Sequence, residues 1–312
     1  MTQKPKKNYN PLGIFLLTFC SLITSVNSQV LQPSQYVDSL ESLENVDVLV
    51  IGEEHDDEQA HQLTLSILRS VSEKTSVSLS LEMLEWDQQN PVDEFLSGEI
   101  NRSSFLKSSL FWNNFSKDYM PLLDYSFDHK IPVICSNPPR RYVNKISREG
   151  ILAFRKSSSY TIDYLPLAHS ILRDRSTEYE KRLRELFNTH TNQAKNTKTE
   201  SHDESNKATL NTTKKMDEAA SDLGWMDRLI LAQHTWDAGM SQKILQEHFR
   251  SGNKIIHLNG RFHSDFGGGV PHRLRKNGLR VRTISFIPEN KWNPSDESKI
   301  ADFVILTKRP IE

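Results

Sequence analysis

Cysteine is nearly absent: Cys20 and Cys135 are the only two in 312 residues, and no Cys-x-x-Cys occurs. A structural zinc site built on thiolates is therefore excluded. Cys135 ends the apolar run Ile131-Pro132-Val133-Ile134-Cys135 and reads as an inert buried thiol. Glycine (12) and proline (13) are too few for a fibrous or low-complexity chain. No sign of charge dominates, with 39 Lys and Arg against 40 Asp and Glu, so no net field draws the chain onto nucleic acid. No apolar run approaches the ~18 residues of a permanent membrane span. A Gly-x-Ser-x-Gly elbow is also missing, which argues against a Ser-His-Asp hydrolase. Gly267-Gly268-Gly269 lacks the lysine of a phosphate loop.

What is present begins with a leader. Lys4, Lys6 and Lys7 precede an apolar run from Leu12 to Ile23, and small residues follow up to Ser28. That order is the order of an export signal, with cleavage expected after Ser28. A rival reading is Leu17-Thr18-Phe19-Cys20, a loose lipoprotein site that would attach the chain to a membrane by lipid alone. Either way the expected destination is outside the cytoplasm: periplasmic, secreted or lipid-anchored. Loss of residues 1–28 removes three lysines and no acids, leaving 36 basic against 40 acidic residues, a net charge of −4. Residues 29–312 then form a single domain.

Along that domain, apolar runs end in polar clusters. Val46 to Ile51 stops at Gly52-Glu53-Glu54-His55, and residues 56–73 carry Ala60, Leu63, Ile67 and Leu68 at helical spacing. Ser76 to Met83 alternates as a strand and places Glu82 on the face of Ser78 and Ser80, for which a solvated face is the plain reading. A short helix over 119–129 leads to the strand Ile131 to Cys135, which runs into Asn137-Pro138-Pro139-Arg140. Residues 176–190 read as a charged helix. Residues 191–218, almost without apolar side chains, read as a solvated, disordered insertion holding His202, with His190 beside it. A helix from Trp225 to Phe249 follows, with Gln233 and Asp237 on its apolar stripe and with His234 and Trp236 turned to the surface or rim. The strand Lys254 to Leu258 ends in Asn259-Gly260-Arg261-Phe262-His263, and a basic helix begins at Pro271. Val281 to Ile287 and Phe303 to Leu306 close the pattern. Such alternation predicts an α/β fold with a largely parallel central sheet flanked by helices and a smaller helical part.

In such sheets ligands bind outside the carboxyl ends of the strands, which is where the clusters at 52–55, 82, 137–140 and 260–263 fall. His55, Glu82, Arg140 and His263 are thus the candidate site residues. Two imidazoles and a carboxylate suit a divalent metal, or an acid–base pair without one. Arg140 would stabilise developing negative charge. The plain alternatives are a helix N-terminus for residues 53–57 and a turn cap for Asn137. His257, inside its strand, reads as packed.

Five segments in order then look like the ChaN-like haem-binding family: Ile51-Gly52-Glu53-Glu54-His55-Asp56, Leu81-Glu82-Met83, Asn137-Pro138-Pro139-Arg140, Gln233-x-x-Trp236-Asp237-x-x-Met240, and Gly260-x-x-His263 with Gly269-Val270-Pro271. That family resembles a wider group with Tiki, TraB and the erythromycin esterases. The resemblance implies an exported or lipid-anchored protein of iron or haem uptake, with haem as cofactor and a homodimer as its assembly. It implies a tyrosine on the iron, for which Tyr119, Tyr125, Tyr142, Tyr160 and Tyr164 are equivalent from sequence. In the hydrolase relatives, the residues matching His55, Glu82 and His263 would form a metal or general-base site. Three readings follow: a haem carrier with Tyr or His on iron, an esterase or peptidase, and a scaffold whose inherited site is silent.

The insertion yields one measurable expectation. Deleting residues 195–215 leaves the melting temperature within a few degrees of the full chain, because the segment has too little apolar surface to offset its ordering entropy. A larger drop in a thermal melt would show that it packs on the domain.

Overall fold

A computed structural model describes residues 29–35, 43, 45–197, 224–293 and 300–309. The leader, Cys20, His202 and the insertion beyond Thr197 lie outside the described residues. In chain order the elements are β1 (Gln29–Leu31), β2 (Val48–Glu53), α1 (Glu58–Ser72), β3 (Val77–Glu85), α2 (Gln89–Leu96), α3 (Arg102–Ser108), α4 (Phe115–Asp118) and α5 (Met120–His129). β4 (Val133–Asn137), α6 (Arg140–Glu149), α7 (Leu152–Arg155), α8 (Ser159–Ile162), α9 (Ala168–Arg173) and α10 (Thr177–Thr197) follow. The chain closes with α11 (Trp225–Ser251), β5 (Lys254–Gly260), α12 (Gly269–Lys276), β6 (Val281–Pro288) and β7 (Phe303–Thr307).

All seven strands run parallel, in the order β1-β7-β6-β2-β5-β3-β4. The fold is α/β, as the alternation predicts. Both faces of the sheet are covered, which is why β2 is apolar on both sides from Val48 to Ile51. Leu49, Ile51, Leu79, Leu81, Ile256 and Leu258 share one core with α1 and the helices between β3 and β4. Val48, Val50 and Ile255 pack on the other face against Met240 and Ile244 of α11 and Val270 and Leu274 of α12. The smaller helical part, α6 to α9, rests on Leu231, Ala232 and Ala238 of α11.

Four expectations change. The Ser78-Ser80-Glu82 face is buried, not solvated, because α11 and β5 close over it: Ser78 Oγ donates to Glu247 and Ser80 Oγ meets His257 Nδ1 at 2.9 Å. His234 is buried rather than at the surface, held between Glu180 and Arg273. The helix after residue 176 continues to Thr197, inside the stretch read as disordered. At α1 the helix starts at Glu58, not 56, because Asp57 caps it by accepting the Ala60 N–H.

Gly239 lies inside α11 where the helix crosses the strand-end prolines. A Cβ there would sit 2.0 Å from Pro138 Cγ and 3.3 Å from Trp86 Cζ2. Gly→Ala in a helix interior normally stabilises by about 1 kcal/mol, but overpacking against a rigid ring costs about 1–3 kcal/mol. Gly239→Ala therefore lowers the midpoint of denaturant unfolding; a raised midpoint would show that the prolines give way.

Candidate functional site

The carboxyl ends of β2, β3 and β5 are adjacent because β5 lies between β2 and β3. Each delivers one acid or imidazole. β2 ends in Glu53, with His55 two residues on. β3 carries Glu82, and β5 ends at Gly260, from which a short 3-10 turn presents His263. Glu82 is tied to the end of β5 by the Gly260 N–H, which donates to Oε2 at 2.6 Å. Its other oxygen, Oε1, lies 3.5 Å from His263 Nε2. His263 Nδ1 is 2.6 Å from Asp237 Oδ1 on α11, and the Gln233 amide is 2.9 Å from the same nitrogen. Gln233 and Asp237, polar groups on the apolar stripe of α11, thus hold a site residue in place.

On the β2 side, Tyr119 O–H donates to Glu53 Oε1 at 2.6 Å, and His55 Nδ1 lies 3.2 Å from the same oxygen. His61 Nε2 is 3.2 Å from Glu53 Oε2, and its Nδ1 faces Asp118 at 3.6 Å. A first-turn position on α1 brings His61 in. Asn114 donates to the His55 carbonyl and to Asp118. His55 and Glu82 meet across Gly260: a Cβ on that glycine would stand 2.9 Å from His55 Nε2 and 3.7 Å from Glu82 Oε2. Only glycine lets strand end and imidazole approach so closely. Acid and imidazole therefore alternate from Asp118 through His61, Glu53, His55, Glu82 and His263 to Asp237.

Burial opposes charge on His263, but Glu82 and Asp237 outweigh it and raise its pKa to about 9. The same contest raises His55, where the Glu53 hydrogen bond and the Glu82 charge prevail over burial and over His263. His61 is raised by Glu53. Glu53, wholly buried, is nonetheless held below its ordinary range by hydrogen bonds from His55, His61 and Tyr119. Burial and the Glu53 charge push the Tyr119 phenol far up. His257, packed as expected, is lowered to about 3 by burial and stays neutral.

The structure brings together His55, Glu82 and His263. Arg140 stands further out: its exposed guanidinium lies 5.9 Å over the Trp112 ring, which packs edge-on against His55 at 4.7 Å. Among the described residues no group of three His, Cys, Asp or Glu side chains is arranged to hold a metal ion, so the geometry lends no support to the metal reading of His55, Glu82 and His263. The reason is local. Each His263 nitrogen faces a carboxylate, Asp237 at Nδ1 and Glu82 at Nε2, so its polar edges are turned to these acids rather than to a shared cation position. Sequence reasoning missed Asp118, at the end of α4, and Asn114, just before it, which carry no motif or spacing signal. Glu53 was visible only as one acid in a helix-start cluster.

Beside His55 opens a cleft of about 580 Å3, walled by Phe262, Phe266, Tyr179 and Leu186 and edged by Arg182 and Arg261. That volume lies inside the ~300–1,000 Å3 range of small-molecule sites. Of the five tyrosines open from sequence, none lines it: Tyr119 is buried on Glu53, Tyr125 bonds Ser72, Tyr142 and Tyr164 pack together, and Tyr160 is exposed on α8.

A parallel α/β sheet with an acid–imidazole chain and an apolar cleft at its strand ends defines a ligand-site protein of the doubly covered class. Within it, residues 39–274 match the family described as haem-binding uptake, Tiki superfamily, ChaN, and the chain belongs to that family. The fold is similar to that of ChaN of Campylobacter jejuni, solved with cofacial haem (18% identity, 86% of this chain and 90% of that one, TM-score 0.58). An erythromycin esterase structure aligns more loosely (11% identity, 82% and 74% coverage, TM-score 0.45). No curated protein sequence matches the chain.

The raised pKa of His263 sets a pH dependence. A group whose folded pKa (about 9) exceeds its unfolded value (6.5) contributes stability that is complete below the unfolded pKa and lost as pH rises through the folded one. The window is thus pH 6.5 to 9, and the contribution is roughly 3 kcal/mol at most. Chemical unfolding of wild type should weaken across that window, and His263→Gln should flatten the dependence; equal slopes in both would remove His263 as the cause.

Proposed function

We propose that this chain binds haem in the cleft beside His55 and serves haem or iron uptake, as an exported or lipid-anchored protein that works as a homodimer. The observation that carries the reading is the cleft, in a chain of the ChaN family. A haem needs apolar walls for its macrocycle, cations for its propionates and a Lewis base near the iron. Phe262, Phe266 and Leu186 supply walls, Arg182 and Arg261 supply cations, and imidazole is the base at hand. The residues present fit the group. When bound, haem would supply the iron centre. The chain's own part is to exclude water from the apolar faces and to orient the ligand.

A second reading rests on the alternating acids and imidazoles. Half-exposed His55, backed by buried Glu53, is placed to take a proton from a water molecule, while protonated His263 keeps Glu82 in place. That arrangement suits acid–base hydrolysis of an ester or peptide without a metal, with Arg140 at the rim of the site.

Titration of the chain lacking residues 1–28 with haemin is expected to give a saturable Soret band. Phe262→Ala, which removes a wall worth at least ~1.5 kcal/mol of apolar contact, weakens binding about tenfold. Absence of a saturable band, together with product release from an ester or peptide panel that His55→Ala abolishes, would favour the hydrolase instead.

A further inference from the structure

We propose that the groove between α9 and α11 is a second ligand site, for an amphiphile with an apolar chain and an anionic head. Its volume is about 420 Å3, inside the same ~300–1,000 Å3 range, and it shares no lining residue with the cleft beside His55. Leu167, just before α9, and Ala238, Leu245 and Phe249 of α11 form its walls. Leu167 is 60% exposed and Phe249 71%, so two large apolar side chains stand in water at the groove. Contact with an alkyl chain removes that surface from water. On the same lining, buried Ser241 has a hydroxyl with no hydrogen-bond partner among the described residues, and a buried polar group of that kind is ordinarily answered.

The polar end is cationic. Arg273 of α12 lines the groove and is buried; its guanidinium donates to the Ser170 and Ile171 carbonyls and faces His234, but it ion-pairs with no carboxylate among the described residues. Arg173, on the same lining, and Lys276, one turn further along α12, are 55% and 44% exposed, and both turn to Asp174. Among the lining residues Asp174 is the one acid. It is buried, and the Arg173 hydrogen bonds hold its pKa down to about 2, so it supplies one negative charge to three cations. A buried charge without its counter-charge is costly, and an anionic head at this end would supply it. A carboxylate or a phosphate meets that requirement; a cationic head does not. A second copy of the chain fits poorly, because a two-fold contact would bring two sets of these cations into one interface.

Titration calorimetry of the chain lacking residues 1–28 with sodium dodecanoate, kept below its micelle concentration, is expected to give one saturable site, and dodecyltrimethylammonium none. Phe249→Ser should weaken dodecanoate binding about tenfold, and Arg173→Gln combined with Lys276→Gln should do the same. Phe249 is largely exposed and glutamine still donates to Asp174, so these variants stay folded in a thermal melt. Leu110→Ser, at an apolar side chain 98% exposed between α3 and α4, leaves binding unchanged. Co-sedimentation with phosphatidylglycerol vesicles separates two sources of such a head. Vesicle binding that Phe249→Ser abolishes assigns a membrane lipid, and dodecanoate binding without it assigns a free fatty carboxylate. A saturable site for neither probe, equal affinity for the cationic amphiphile, or binding indifferent to Phe249→Ser and to the double variant overturns the proposal. So does dimerisation, lost in Phe249→Ser, of a chain that binds neither probe.

Discussion

The hydrogen bond from the Gly260 N–H to the Glu82 carboxylate is the contact on which the site depends. It joins the end of β5 to β3 at the level where the sheet stops and the polar clusters begin. A carboxylate 7% exposed must be compensated where it stands. One oxygen is answered by a backbone donor and the other by His263. Because Asp237 holds His263, the position of Glu82 fixes α11 relative to the sheet as well.

Alternation of charge explains how so many ionisable groups share so little space. Glu53 alone, buried beneath the helices, would neutralise; His55, His61 and Tyr119 together keep it ionised. His55 and His263 repel each other but are separated by Glu82. Removing one member leaves its neighbour with an uncompensated charge, so the chain behaves as a unit rather than as independent pairs. The chain opens to solvent at its middle, at half-exposed His55, and the aromatic cleft begins there.

By itself the sequence determined the parallel α/β architecture. Strands buried on both faces are apolar along most of their length, as β2 is from Val48 to Ile51; the amphipathic period of α1 leaves little choice of partner. Periodicity also located Gly260 and His263 at a strand end and set Gln233 and Asp237 on a buried stripe. Only tertiary structure decided what those residues meet. Whether the Ser78-Ser80-Glu82 face sees water depends on where α11 lies. That is a packing outcome between segments some 150 residues apart, and local alternation carries no trace of it. Asp118 joins the site because α4 folds over the end of β2, and Tyr119 leaves the set of exposed phenols for the same reason. Arg140, at a strand end like the others, is held apart by the Trp112 ring. The metal reading lacks support on a similar point: residue types specify which donors exist, but only their orientation decides whether lone pairs converge on a cation or are spent on one another.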